Sequence, residues 1–303
     1  MDRGADPNLR TKDGSSALIV ASNRGYTTIV EMLLKNDANL DAATDGSTAT
    51  MCACIRGFKD IAFLLLEADK DFDAVNSKGW TPLMLAADKG CFQIINRLIK
   101  MGANVNAKSS DAKWTALMSA SANGFYDIAE VLIAGGADIN AQQAGGWNSL
   151  MIAAQAGHTS LVQLLLQHHA TVFDRKDQIL TDLRTAKNSD VPDGAVPLIG
   201  ATLGGHADIV SLLLQHGAKT ETRTSSGKTP LMIAAARGDK TVLDILLKHK
   251  AVTPMVEDFG YTVGRIGWTR MRKLLGAGSG NQVEKEMSTQ STVTVSKSQQ
   301  KVD

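Results

Sequence analysis

The side chains best suited to nucleophilic attack or metal ligation in this 303-residue chain are three cysteines and six histidines. Cys52 and Cys54 lie two residues apart and Cys91 lies well downstream, and none has a histidine at zinc-finger spacing. An odd count without paired spacing argues against a disulfide framework and fits a reducing compartment. His158 and His206 each follow a glycine at matching places in a repeating pattern, so they read as periodic features. No nucleophile, base and orienting group fall together. Gly227-Lys228-Thr229 has the ending of a phosphate-binding loop, but that loop's first glycine would fall at Thr222 and no strand precedes it. Gly276, Gly278 and Gly280 open a polar tail where a dinucleotide fingerprint would need a strand-to-helix turn. The residues therefore predict no catalysis, no cofactor and no metal.

Binding chemistry is left. Trp80, Trp114 and Trp147, three of the four tryptophans, recur at intervals of 34 and 33 residues. That spacing points to a periodic chain. A glycine anchors the period at 14, 46, 79, 146, 194, 227 and 260, with Lys113 filling one slot. A second glycine follows eleven residues later at 25, 57, 90, 124, 157, 205 and 238. The interval is 32–34 residues except between Gly146 and Gly194, where it is 48.

Each period reads as two short helices. Ser16, Thr48, Thr81, Thr115, Asn148 and Thr229 stand where a side-chain oxygen caps a first helix, and Val196 is the exception. Pro82, Pro197 and Pro230 suit the first turn. The second glycine ends that helix by accepting positive φ. Apolar pairs one turn apart, such as Ile94-Ile95 with Leu98-Ile99, make the inward stripe of a second helix. Gly102, Gly136 and Gly217 end it, with Asp37, Asp69, His169 and Lys250 in the same slot elsewhere; His and Lys there predict softer junctions.

A helix–turn–helix unit with a turn-rich extension, repeating at 33 residues, resembles the ankyrin repeat over about residues 2–256. The resemblance implies an all-α solenoid of about seven full repeats with β-hairpin fingers. It also implies a protein-protein interaction module or adaptor that binds its partner on the concave surface at the hairpin tips. The alternative it leaves open is a regulatory or targeting ankyrin domain of a larger enzyme, channel or transporter. The family's Thr-Pro-Leu-His motif has Met or Ile in place of His in every repeat here. The hydrogen bonds this histidine makes between units must then be replaced by packing.

Residues 1–12 read as the tail of a preceding repeat, because Gly4-Ala5-Asp6-Pro7-Asn8 matches Gly102-Ala103-Asn104-Val105-Asn106. The helices expected before it are missing, which predicts a fragment or an N-terminal face covered by something else. Residues 13–258 hold seven repeats, with an insertion at about 174–190 where Ile179 and Leu183 have helical spacing. Residues 259–276 read as a degenerate basic cap and 277–303 as a disordered polar tail.

The position after the anchor glycine is a finger tip, and there the three tryptophans predict an apolar ladder. Tryptophan is enriched at interface hot spots. The other reading, that each indole lies on the neighbouring hairpin and stiffens the array, stays open. Arg56, Lys89, Asn123 and Gln155 flank the ladder as polar contacts, and Ile179 and Leu183 add the insertion as a second contact or an inert loop. The mixed polarity predicts a protein partner that is neither strongly acidic nor strongly basic. A net charge of +1 gives no steering toward nucleic acid or an anionic membrane, and no run of ~20 apolar residues predicts a span. A weaker reading places a lipid or small molecule near the insertion and the basic end, at Arg265, Arg270, Arg272 and Lys273. The expected location is cytoplasmic or nuclear, with the isolated domain monomeric.

Overall fold

A computed structural model of the chain describes residues 5–172 and 196–249, apart from Ala42, Thr44, Lys70 and Ser225. The insertion with Ile179 and Leu183, the cap at 259–276 and the tail at 277–303 lie outside the described residues.

Fourteen helices form seven pairs among the described residues. They are α1 (Ala17–Arg24) and α2 (Thr27–Lys35), α3 (Ala49–Arg56) and α4 (Lys59–Ala68), α5 (Pro82–Asp88) and α6 (Phe92–Lys100), α7 (Ala116–Asn123) and α8 (Tyr126–Ala134), α9 (Ser149–Ala156) and α10 (Thr159–Gln167), α11 (Pro197–Gly204) and α12 (Ala207–Gln215), and α13 (Pro230–Arg237) and α14 (Lys240–Lys248). First helices stack on first helices and second on second, so the fold is an all-α repeat solenoid. One continuous core runs through all seven pairs, from Leu18 to Leu246. At such positions each fully buried Leu, Ile or Met contributes about 1.5–3 kcal/mol.

Local chemistry sets the helix ends as expected. Ser16, Thr48, Thr81, Thr115, Asn148 and Thr229 each accept the backbone N–H three residues on. Val196 makes no side-chain cap, and Pro197 behind it supplies a first turn that lacks one N–H. Among the described residues, three other than glycine hold positive φ: Asp37 at 57°, Lys113 at 53° and His169 at 61°. The left-handed turn thus survives where glycine is absent, at a conformational cost. Asp69 instead ends α4 in an extended conformation.

The β-hairpin fingers expected are not confirmed by the structure. Among the described residues there is no named strand, only an isolated bridge between Arg10 and Ser16. Each finger is a tight turn. The Asn76 N–H donates to the Trp80 carbonyl at 3.2 Å and the Gly79 N–H to the Asn76 carbonyl at 2.8 Å. The same closure recurs at Ala43–Ser47, Gln143–Trp147 and Thr224–Lys228, and one residue longer at Ser109–Trp114. The arms pair only at this closure, so no named strand develops among the described residues. Neighbouring fingers are joined by single bonds: Ser77 N–H to Asp45 carbonyl at 2.8 Å, Ser110 to Lys78 at 2.9 Å, and Ala144 to Ala112 at 2.8 Å.

Hydrogen bonds between units do exist, at residues other than the one the resemblance pointed to. The residue after the second glycine of one pair lies against the second glycine of the pair before. There Phe58 covers Gly25, Cys91 covers Gly57, Phe125 covers Gly90, His158 covers Gly124 and His206 covers Gly157. The two histidines add a bond each, His158 Nε2 to the Ala122 carbonyl at 3.2 Å and His206 Nε2 to the Gln155 carbonyl at 3.0 Å. In the connectors, side chains of Asn8, Asp73, Asn106 and Asn140 accept the backbone N–H of Asn39, Asn104, Asp138 and Thr171 in the next unit. Leu40 occupies that slot in the second unit and has no oxygen to offer.

Candidate functional site

Finger residues and the C-terminal ends of the first helices together form the surface that the sequence singles out. The tryptophan ladder needs correcting. Trp147 is only 5 % exposed and packs with Met118, Ala141, Met151 and Ile152 in a small cluster separate from the main core. Trp114 is half-buried against the same cluster, and its Nε1 donates to Ser119 Oγ at 2.9 Å. Trp80 is half-buried against the main core. The indoles fold back onto the first helices because Met118, Met151 and Ile152 leave apolar surface there, and burying a ring of that size outweighs displaying it. An exposed ladder of three is therefore absent: two indole edges show, and Trp147 is interior. The Trp147 Nε1 is buried with no hydrogen-bond partner.

The four flanking residues are exposed. Arg56, which ends α3, donates from Nε to Asn23 Oδ1 of the preceding pair at 2.9 Å. Lys89 pairs with Asp88 at 2.9 Å. Asn123 Nδ2 donates to the Ser119 carbonyl at 2.9 Å and reaches the Asp88 carbonyl at 3.5 Å. The Gln155 carbonyl receives His206 while its side chain stays exposed. Arg24, Arg56 and Lys89 share one slot in three consecutive pairs, each near the C-terminus of a first helix, where positive charge offsets the helix dipole. The mixed polarity thus separates into a basic stretch over the first three pairs and a neutral one over the next two.

Two finger carboxylates, Asp13 and Asp111, are favoured in the ionised form. Hydroxyls of Thr11 and Ser15 keep the Asp13 carboxyl below its ordinary value. The Ser109 hydroxyl and the Ala112 N–H do the same for Asp111. A depressed folded-state value gives stabilisation that is present at neutral pH and fades as the pH falls through it.

Chemistry at the thiols is suppressed. All three cysteines are free, and burial pushes each thiol above its ordinary value, Cys54 furthest because it is wholly enclosed. A thiol held protonated is a poor nucleophile and ligand. Iodoacetamide at mild alkaline pH should leave Cys54 unmodified in the folded chain and alkylate Cys52 and Cys91 more slowly than in guanidinium, as read by peptide mass spectrometry. Rapid native labelling of Cys54 would contradict its enclosure. Among the described residues no three His, Cys, Asp or Glu side chains gather as a metal site. Nor is any helix there long and apolar enough to cross a membrane.

Sequence reasoning missed the column that covers the second glycines and the Asn8, Asp73, Asn106 and Asn140 ties. A signal for both was present: a ring or His after most second glycines, and Asn or Asp at 73, 106 and 140, 33 and 34 residues apart.

A family model described as ankyrin repeats in three copies matches residues 1–76, 63–143 and 150–258. Mouse Ankyrin repeat and SOCS box protein 10 is 46 % identical over 123 residues, covering 36 % of this chain and 26 % of the mouse protein. The chain thus spans about a quarter of the length of that curated relative.

Proposed function

The chain belongs to the ankyrin-repeat family, and from that premise we propose that it is a non-catalytic adaptor that binds a partner protein on its finger and first-helix surface. Ankyrin repeats are generally protein-interaction modules, and stacked repeats offer an extended concave surface for recognition. We count seven repeats over residues 13–258, with 1–12 as the tail of another. The observation that carries the reading is the row of exposed polar ends at Arg56, Lys89, Asn123 and Gln155, in four consecutive pairs beside the half-buried Trp80 and Trp114. Such rows are unequal from unit to unit, while the buried slots repeat. The periodic core fixes their spacing, and the variable ends supply the specificity. The partner site comprises these six residues; Trp147 serves it from beneath by holding the cluster under the fingers. Three free thiols support a cytoplasmic location.

The test compares two variants in a pull-down, one with three substitutions to Glu and one with two. Arg56→Glu with Lys89→Glu and Gln155→Glu alters the proposed surface; Lys59→Glu with Lys100→Glu alters second helices. Both should keep the parent circular dichroism, and only the first should lose a specific partner. Equal loss from both, or from neither, would sink the assignment.

A second reading, an ankyrin section serving a larger protein, is favoured by one observation: the mouse relative's name joins ankyrin repeats to a SOCS box.

A further inference from the structure

The ends of the first helices carry a charge pattern that stacking does not require. Arg24, Arg56 and Lys89 stand there in the first three pairs, and Asn123, Ala156 and Gly204 follow in the same slot. All three cations are exposed, in the second and third pairs as in the first, so the row does not depend on its place in the array. Arg56 donates from Nε to Asn23 Oδ1 of the preceding pair at 2.9 Å, which lays its guanidinium along the row. Among the described residues neither Arg24 nor Arg56 forms an ion pair. Lys89 pairs with Asp88 at 2.9 Å, yet its side chain stays 47 % exposed, and a surface pair of this kind contributes at most about 1 kcal/mol. Across the three turns, at residues 23–28, 55–60 and 88–93, Arg24, Arg56, Lys59 and Lys89 stand against Asp60 and Asp88 alone. Lys59 and Asp60 are adjacent and offset each other, so the excess charge lies on the helix ends. Phe92 and Tyr126, the first residues of α6 and α8, continue this edge with rings 39 % and 37 % exposed. Other pairs hold Thr27, Lys59, Thr159, Ala207 and Lys240 in that slot. One exposed ring needs no explanation, but two in one slot of adjacent pairs, at the end of a cationic row, do.

Granting the partner-binding reading above, on which this rests, we propose that the edge binds an extended acidic segment of the partner protein. Its carboxylates sit on Arg24, Arg56 and Lys89, and an apolar residue is seated at Phe92 and Tyr126. Spacing supports this occupant. Neighbouring units lie about 10 Å apart, as packed helices do, and an extended chain advances about 3.3 Å per residue. Every third residue of such a segment therefore meets the next unit, and the row reads Asp or Glu at intervals of three. Arginine suits the role because its planar fork takes a carboxylate through two parallel hydrogen bonds. Lys89 exchanges Asp88 for the partner's carboxylate with little loss, since the pair is exposed. A partner of mixed overall polarity can carry one such segment, which leaves the neutral stretch over the fourth and fifth pairs for the rest of it.

Fluorescence anisotropy of labelled synthetic peptides with the full chain, at low ionic strength, tests this. The probes carry three Glu residues, one at every third position. Leu stands three residues after the last Glu in one probe and three before the first in the other, to cover both chain directions. One of them should bind at least tenfold more tightly than a peptide of the same composition with its Glu residues adjacent. Arg24→Glu with Arg56→Glu should weaken it at least tenfold, while Lys240→Glu with Lys248→Glu, on the distant α14, should change it less than twofold. Phe92→Ser with Tyr126→Ser should weaken it at least threefold, and should change binding of a peptide with Ser in place of Leu less than twofold. All variants should keep the parent circular dichroism, and the comparison of peptides on the parent chain stands whatever the variants do. Equal binding of the spaced and adjacent peptides overturns the proposal, because charge alone would then attract them. So does tighter binding of single-stranded DNA of equal charge. If no peptide binds but the three-substitution variant above still loses its cellular partner, the acidic segment is wrong and the partner surface stands. If that variant also keeps its partner, both fall.

Discussion

Trp147→Ala should destabilise the stack by about 3–5 kcal/mol, the usual cost of removing a fully buried indole. The ring fills the space between Met118, Met151 and Ile152, and half-buried Trp114 leans on the same cluster. Removing it leaves a cavity that spans two units, which a rigid periodic scaffold closes poorly. Trp80→Ala, at a half-buried ring, should cost about 1–3 kcal/mol. Trp147→Phe should stay within about 1 kcal/mol of the parent. It keeps most of the packing and removes an N–H that is buried without a partner, whose desolvation costs about 1–3 kcal/mol. Urea unfolding followed by circular dichroism measures all three. A loss below about 1 kcal/mol for Trp147→Ala would remove the indole from the packing and return it to the surface.

Gly124→Ala should cost about 2–4 kcal/mol, and most of that should depend on His158. Gly124 holds φ at 73°, and an added Cβ would lie 2.6 Å from His158 Nδ1. Two penalties therefore add: backbone strain of about 1–2 kcal/mol, and displacement of a ring whose Nε2–H donates to the Ala122 carbonyl. Gly136→Ala separates them. Its φ is 89° and nothing lies within 4 Å of the added atom, so strain alone remains. The double variant Gly124→Ala with His158→Ala should cost at least about 1 kcal/mol less than the sum of the singles. Additive singles would mean that the ring does not rest on the glycine.

The repeat, both glycine positions, the caps and the unusual Val196 could all be read from the sequence, because each is a local event. A threonine caps or a glycine turns within four residues of itself. The indoles could not be placed in this way. Their position next to a finger was evident, but whether Trp147 points outward depends on the apolar surface left by Met118, one unit away, and on Met151 and Ile152 of its own unit. The ties from Asn8, Asp73, Asn106 and Asn140 cross a similar distance. Each pairs with a backbone N–H about one period later, so the side chain alone gives no sign of its partner. The expectation of hairpin fingers came from the resemblance, and the turn bonds at Asn76–Trp80 and Gln143–Trp147 show shorter closures. The exposed ends at Arg56, Lys89, Asn123 and Gln155 were legible because the C-terminus of a first helix faces outward in any such unit.

The finger turns also bear on how the protein behaves when crowded with copies of itself. A row of true hairpins would end in a strand whose unpaired amides and carbonyls invite another chain to extend the sheet, a common route to fibrils. Here the Asp45, Lys78 and Ala112 carbonyls are each taken by the next finger, and the turn bonds close the rest of each tip. The described residues offer no strand edge for such growth to begin on. The described fingers therefore line up backbones side by side, at close spacing, with their carbonyls at Asp45, Lys78 and Ala112 already taken.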